Sequence, residues 1–450
     1  MIAPKKITGE VRIPQEVAEE IKKEVKNILD YKYKIKMKLA HRVTELVEVL
    51  LSGAFYLDAS DIHIEPKENT TKLRVRIDGV LHDVLFFSKT IYRALLSRLK
   101  ILAGLKLNIT HRPQDGRFSI LLPKEEFLRI VKAELKYDSI EVRASSLPAE
   151  YGESIVLRIL NPKWVVSMEE LGLRKDMLEL FTKETKKPNG MIIATGPTGC
   201  GKTTTLYAFL QKINNPEIKI ITIEDPIEYH LKGVSQTQVD EARGYTFANG
   251  LRAIVRQDPD VILVGEIRDF ETAKIALQAA LTGHLVLSTV HTNDAAGTIA
   301  RLQALGEKPV NIAPAINIVI GQRLVRRICK KCMKLEPILP ETLEKLKRAL
   351  KNLPITAKKP KLSPELKLPL IQGCRDCNFT GYRGRIGIFE AFLIDEEMEQ
   401  FILSSPSISA LRKKAIQKGM ITMHQDGLLK VLKGITTIEE VEKVTGEDEG

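Results

Sequence analysis

The amino-acid sequence predicts an α/β protein: a core built on a parallel sheet, preceded by a smaller α+β domain. The first observation behind this is a texture that begins near residue 190. Apolar runs of strand length alternate there with helical stretches: MIIAT (191–195), IKIITIED (218–225), DVILVGE (260–266) and HLVLSTVHT (284–292). Continuous apolar strands separated by helices belong to a parallel sheet covered on both faces. The second observation is that residues 59–160 read differently. ASDIHIEP (59–66) is a short strand signal, and LRVRI (73–77) and VLHDV (80–84) flank Asp78-Gly79, a strong two-residue hairpin signal. SIEVRAS (139–145) and SIVLRIL (154–160) alternate as half-buried strands do.

The remaining elements follow in order. Residues 14–30 suggest a short, charged amphipathic helix, and 41–53 a second one, with Val43, Leu46, Val47 and Leu50 at helical spacing. A helix near 89–103 separates the hairpin from the later strands. Residues 337–369, rich in Pro, Lys and Leu, read as an irregular or helical insertion, and 395–445 has helical periodicity. The implied organisation is a helical region at 1–57, an α+β domain at 58–165, the α/β core at 166–328, a cysteine-bearing element at 329–394 and a helical region at 395–450. No internal repeat or low-complexity tract interrupts it.

Composition narrows the class. At 450 residues, with 44% apolar and 28% charged residues, the chain is globular and long enough for about three domains. No apolar run reaches the roughly 18–20 residues of a membrane helix, and MIAPKKITGEVRIP lacks the apolar centre of a signal peptide. The expectation is a cytoplasmic protein whose membrane contact is peripheral. The net charge is +12, but the lysines cluster at 19–38 and 341–367 among glutamates or prolines. That pattern fits a solvated basic face or contact with an acidic membrane surface, and argues against a nucleic-acid partner.

GPTGCGKTTTLY (196–207) carries the chemistry. Gly196, Gly201, Lys202 and Thr203 fit G-x-x-x-x-G-K-[ST], with a strand before and a helix after. The glycines let backbone N–H groups converge on phosphate oxygens at a helix N-terminus. Lys202 reaches the β- and γ-phosphates, and the Thr203 hydroxyl is a Mg²⁺ ligand. The whole loop (Gly196, Pro197, Thr198, Gly199, Cys200, Gly201, Lys202, Thr203 and Thr204) is therefore assigned to ATP. Cys200 reads as a serine-like position, since the loop binds through its backbone.

Phosphoryl transfer also needs a carboxylate linked to Mg²⁺ and a group that positions water. VILVGE ends in Gly265-Glu266, so Glu266 takes the carboxylate role. Glu224 and Asp225 end a neighbouring strand, where Pro226 stops it. Both glutamates are candidates for the general base, with Glu224 preferred. His291 closes HLVLSTVHT at the same edge and is a candidate sensor of the γ-phosphate; His284 is read as structural or a subunit-contact residue.

Cys329-x-x-Cys332 and Cys374-x-x-Cys377 supply four thiolates, the closed ligand set of a structural Zn²⁺ site. The fifth cysteine leaves an odd count, against a disulfide framework.

In order and spacing, GPTGCGKTTTLY, TIEDPIEY, RQDPDVILVGEIRD and LTGHLVLSTVHTNDA resemble the Walker A, Asp-box, Walker B and His-box motifs of the bacterial secretion ATPase superfamily. More narrowly, the chain is similar to the type II secretion and type IV pilus assembly ATPases (the GspE/PilB group) from about 43 to 435. ASDIHIEP, RVRIDGV, RPQDGR and TGYRGRIGIFE match as well, and Gly265-Glu266 is usual in that group. The resemblance implies a RecA-like core, a PAS-like preceding domain and an inserted tetracysteine zinc element, which retraction ATPases generally lack. It implies an ATPase acting as a hexameric ring on an inner-membrane platform protein that adds pilin or pseudopilin to a fibre. It also implies that Arg143 and Arg158 match arginines brought from the preceding domain onto the nucleotide; Ser154 departs from the arginine usual there. Relatives carry a larger N-terminal domain that docks on inner-membrane partners, whereas about 40 residues precede the matched region here, so altered recruitment or a shortened form is expected. A DNA-uptake or conjugation motor, a retraction ATPase, and a zinc-organised binding module are the competing readings.

Overall fold

The computed structural model describes residues 9–131, 135, 137–354 and 359–446. The chain divides into two compact units, one of residues 1–164 with 372–383 and one of 165–371 with 384–450.

The first unit holds a seven-stranded sheet. Its strands are β1 (Glu10–Arg12), β2 (Ala59–Pro66), β3 (Thr70–Ile77), β4 (Val80–Ser88), β5 (Gln114–Leu121), β6 (Ile140–Ala149) and β7 (Gly152–Leu160). They lie in the order β1-β5-β6-β7-β2-β3-β4, antiparallel throughout except that β1 runs parallel to β5. The Asp78-Gly79 hairpin forms as expected: Ile77 pairs with Val80, and both turn residues have positive φ, 50° and 83°. Those are the dihedrals of a type I′ turn, whose twist suits the flanking strands.

Helices cover one face of that sheet through a shared apolar core that includes Ile21, Tyr31, Ile35, Leu50, Phe55, Ile62, Val75 and Leu157. The single helix expected over 14–30 is two, Gln15–Glu24 and Ile28–Lys38. The break has a local cause. Val25 is extended, and the Asn27 side chain accepts a 3.0 Å hydrogen bond from the Asp30 N–H, capping the second helix. The helix expected over 41–53 runs Val43–Tyr56, and the one near 89–103 runs Lys89–Leu102 behind a Ser88 cap.

The second unit holds the parallel sheet. Its strands are β8 (Gly190–Thr195), β9 (Ile220–Glu224), β10 (Ser235–Gln238), β11 (Val261–Val264), β12 (Leu285–Val290) and β13 (Ile316–Ile328). Next come the short antiparallel pair β14 (Met333–Pro337) and β15 (Lys367–Ile371), and then β16 (Tyr382–Leu393). The large sheet runs β10-β9-β11-β12-β8-β13-β16, and the five pairings from β10 to β13 are parallel. Every residue of β8, β9, β11 and β12 is buried, as strands covered on both faces must be. Burying an Ile or Val of these strands stabilises the unit by roughly 1.5–3 kcal/mol each. This is the parallel α/β core that the sequence predicts. Parallel pairing also puts the C-terminal ends of β8, β9, β11 and β12 on one edge, the edge where open α/β sheets bind ligands.

Within 337–369 the chain forms the helix Pro340–Ala349 and β15, while 355–358 lie outside the described residues. The tail is helical as expected, in four helices from Glu396 to Thr445. No helix among the described residues is long and apolar enough to cross a membrane.

Candidate nucleotide site

β8 ends at Thr195 and the helix Lys202–Ile213 begins seven residues later, with Gly196–Gly201 forming the loop between them. Two glycines are there for different reasons. At Gly196 (φ 151°) a Cβ would sit 2.5 Å from Cys200 Sγ and 2.6 Å from the Gln322 carbonyl oxygen, so no side chain fits. Gly201 caps the helix with φ 92°, a left-handed conformation in which a side chain is strained. Pro197, Thr198, Gly199 and Thr203 are exposed and Thr204 is half-buried, whereas Cys200 is buried. Burial pushes the Cys200 thiol pKa up, and its backbone carbonyl accepts from Gln322 Nε2 at 2.8 Å. That is a packed position in the turn.

Lys202 is buried, and its ammonium donates to the carbonyls of Gly196 (2.8 Å) and Pro197 (3.2 Å). The loop thus folds around the lysine's own charge. Burial lowers the Lys202 pKa, opposed in part by Cys200 and by the Glu266 carboxylate.

The strand ends supply the acids. Glu266 Oε1 lies 2.7 Å from Arg268 Nη2, and Glu266 Oε2 lies 3.3 Å from His291 Nε2. The His291 pKa is lowered, first by burial and then by the Lys202 charge, so the ring is neutral at pH 7. Lys202, Glu266 and His291 are therefore brought together at one edge of the sheet, with Arg268 beside them. A neutral imidazole and a carboxylate facing a lysine at a phosphate loop can position water and accept its proton.

Glu224 sits in different surroundings. It is buried, and its Oε1 accepts from Thr222 Oγ1 (2.5 Å) and Gln236 Nε2 (3.1 Å), while its Oε2 accepts from the Tyr207 hydroxyl. Burial raises the Glu224 pKa against the pull of those donors. A carboxylate engaged by three protein donors braces the helix Lys202–Ile213 against β9 and β10. His284 Nδ1 lies 3.0 Å from the Ala279 carbonyl oxygen at the start of β12.

Arg143 and Arg158 belong to the first unit, where they are direct partners across β6 and β7. Arg158 Nε donates to Asp61 Oδ1 at 2.9 Å.

The four cysteines of the two Cys-x-x-Cys pairs place their Sγ atoms within 4.8 Å of one another. Cys374 Sγ and Cys377 Sγ are 3.7 Å apart, far from disulfide length and close to the roughly 3.8 Å edge of a tetrahedron with 2.3 Å Zn–S bonds. Backbone N–H groups of Cys374 (3.1 Å) and Gly381 (3.3 Å) point at Cys377 Sγ, as donors to a thiolate do. The donor set fits Zn²⁺.

Sequence reasoning missed Arg268, Tyr207 and Gln236. Arg268 had a signal, since it lies two residues beyond Glu266 on the same strand end. Tyr207 and Gln236 had none, because their role depends on how helix and strand pack.

Residues 37–443 match the family model described as type II/IV secretion system protein. The chain is 43% identical over 407 residues to type II secretion system protein E of Pectobacterium carotovorum subsp. carotovorum, covering 90% of this chain and 76% of that one. It is 43% identical over 399 residues to the type IV pilus assembly ATPase PilB of Thermus thermophilus, covering 88% of this chain and 42% of that one. The fold is similar to the ATPase DotB of Legionella pneumophila, with a TM-score of 0.61 at 20% identity over 88% of this chain and 94% of that one. A match over residues 37–443, with 43% identity across 90% of the chain to a named relative, means that the chain belongs to the type II/IV secretion system protein family.

Proposed function

We propose that this protein is an ATP-hydrolysing motor that works as a ring, a homo-hexamer, and powers assembly of a pilus or pseudopilus in type IV pilus biogenesis or type II secretion. The observation that carries the reading is the convergence of Lys202, Glu266 and His291 beside a phosphate loop shaped by Gly196 and Gly201. Membership of a family whose relatives are named for those two systems supports the choice of work.

In this reading the backbone of residues 196–204 cradles the phosphates, and Lys202 leaves its own carbonyl partners to pair with the β- and γ-oxygens. Thr203 would hold Mg²⁺, with Glu266 acting on it through water, and the ion would supply charge neutralisation to the phosphates. Glu266 is better placed than Glu224 to take the proton of the attacking water, because it sits with Lys202 and His291 while Glu224 is occupied by three donors. Neutral His291 hydrogen-bonds the γ-phosphate region and reports its loss. Arg143 and Arg158 neutralise charge on the leaving phosphoryl group, and their movement couples cleavage to displacement. The cysteine tetrad would hold a structural Zn²⁺. The motor acts in the cytoplasm, peripherally associated with the inner membrane through a platform protein.

The test is Mg²⁺-dependent phosphate release by the purified full chain, with oligomeric state measured in parallel. Glu266→Gln is expected to abolish turnover while ATP binding persists. Retention of turnover in that variant would refute the reading.

A further inference from the structure

The sheet of the first unit carries an unusual row of charge. Register partners run straight across five neighbouring strands: Arg117 on β5 pairs with Arg143 on β6, Arg143 with Arg158 on β7, Arg158 with Asp61 on β2, and Asp61 with Arg76 on β3. Residues directly opposite share a face, with Cβ atoms about 4.5–5.5 Å apart, and like charges so placed repel. Four guanidinium groups in one line therefore carry a stability cost unless something anionic sits among them. Glu141, two residues from Arg143 on β6, lies 3.7 Å from Arg117 Nη1 at the row's end, while within the row the one carboxylate is Asp61.

Its environment is built. The Asp61 side chain is 4% exposed, and both oxygens are engaged. Oδ1 accepts from Arg158 Nε at 2.9 Å. Oδ2 accepts from Ser60 Oγ at 2.8 Å and faces Arg76 Nε at 3.4 Å. Arg158, by contrast, keeps a side chain that is 59% exposed. The arginine is thus tethered at the Nε edge of its guanidinium by a buried acceptor while much of the side chain stands in solvent. Arg76 matters as well. It meets the same carboxylate, and a second cation on Asp61 keeps that carboxylate from neutralising Arg158 outright.

We propose that Asp61 is a positioning residue for ATP hydrolysis: it fixes the guanidinium of Arg158 at one angle on the sheet face, so that the arginine meets the γ-phosphoryl group already oriented. The inference rests on the reading that Arg158 addresses the nucleotide. A guanidinium held in advance loses little rotational freedom as charge develops, which favours the transition state over the bound substrate. Released from Asp61, the same arginine samples several rotamers, and misplacement of a catalytic group by about an ångström costs up to a hundredfold in rate. Ser60 acts one step further out, by holding the second oxygen of the carboxylate.

The experiment is a double-mutant cycle on the full chain, read as kcat and KM for ATP. Asp61→Asn keeps the shape and removes the charge. It is expected to lower kcat between about tenfold and a hundredfold with KM changed less than about twofold, the signature of an interaction made in the transition state. In an Arg158→Ala background the same substitution is expected to cost less than about twofold, because the residue it serves is already gone. Equal losses in both backgrounds, or no loss from Asp61→Asn while Arg158→Ala is impaired, would overturn the inference and leave the motor reading standing. Full turnover by Arg158→Ala would overturn the assignment of Arg158 itself. Should Asp61→Asn fail to fold, seen as a lowered melting temperature with lost ATP binding, Ser60→Ala replaces it. That variant is expected to lose about two- to threefold in kcat, again only where Arg158 is present, and no loss counts against the proposal.

Discussion

Two glutamates end neighbouring strands of the parallel sheet, and replacing each by its isosteric amide separates their roles. In Glu224→Gln one oxygen becomes an amide donor. Placed at the Oε2 position, the new –NH2 meets the Tyr207 hydroxyl, which can rotate and accept, while the remaining oxygen still accepts from Thr222 and Gln236. What is lost is the charge assistance to those donors, about 1 kcal/mol, partly offset because the neutral amide carries no buried charge. For a unit of this size that lowers the melting temperature by no more than about 2–4 °C. Turnover is expected to stay within about threefold of the unaltered chain. In Glu266→Gln the carboxylate facing His291 and Arg268 loses its basicity, so kcat is expected to fall about a hundredfold or more, with little change in stability. Steady-state phosphate release, equilibrium binding of a fluorescent ATP analogue and thermal melting measure the three quantities. A hundredfold loss of kcat in Glu224→Gln with intact ATP binding, alongside an active Glu266→Gln, would refute the reasoning.

Other perturbations test other parts of the site. The His291 pKa lies below 6.5, so its neutral form contributes stability that is present above pH 6.5 and lost as pH falls through the folded-state pKa. The acid limb of the kcat/KM profile is accordingly expected below pH 6.5, and to flatten in His291→Gln; a limb centred above 6.5 contradicts the burial argument. Gly201→Ala puts a Cβ at φ 92° and 3.1 Å from Gln322 Nε2, a strain of roughly 1–2 kcal/mol that turns the loop's N–H groups, so the Kd for ATP is expected to rise about tenfold. Metal analysis of the purified chain is expected to find ~1 zinc ion per chain, falling towards zero in Cys374→Ser with a lowered melting temperature.

How much of this was legible in the sequence depended on how far apart in the chain the interacting residues lie. The phosphate loop, the Asp78-Gly79 turn and the alternation of β8, β9, β11 and β12 with helices are local patterns, and each formed where its residues predicted. The break near Val25 was local too, since Asn27 is a capping residue, but the lysines and apolar residues on either side keep a helical period that conceals it. Glu224 and Glu266 could not be told apart by position, because both end a strand on the ligand edge. Their difference arises from alternation along β9, which turns Thr222 and Glu224 to one face, and from Tyr207 and Gln236 arriving there from other elements. The pairing of Arg158 with Asp61 is further still from local sequence. It exists because β7 lies beside β2, an order that only the folded sheet defines.

A single physical theme links these contacts. Charges assigned to the reaction have partners inside the protein: Lys202 holds the Gly196 and Pro197 carbonyls, Glu266 holds Arg268 and His291, and Arg158 holds Asp61. Leaving the largely buried Lys202 or Glu266 bare would cost several kcal/mol, so the fold itself requires such internal partners. In the proposed reaction Lys202 exchanges two neutral carbonyls for phosphate oxygens, whereas Arg158 keeps Asp61. Such an exchange returns less affinity than capture by bare charges would, yet it starts from side chains that are already ordered. It also makes each internal partner a gate on a particular step, which is why removing Asp61 should register in kcat, whereas straining the loop at Gly201 should register in the Kd for ATP.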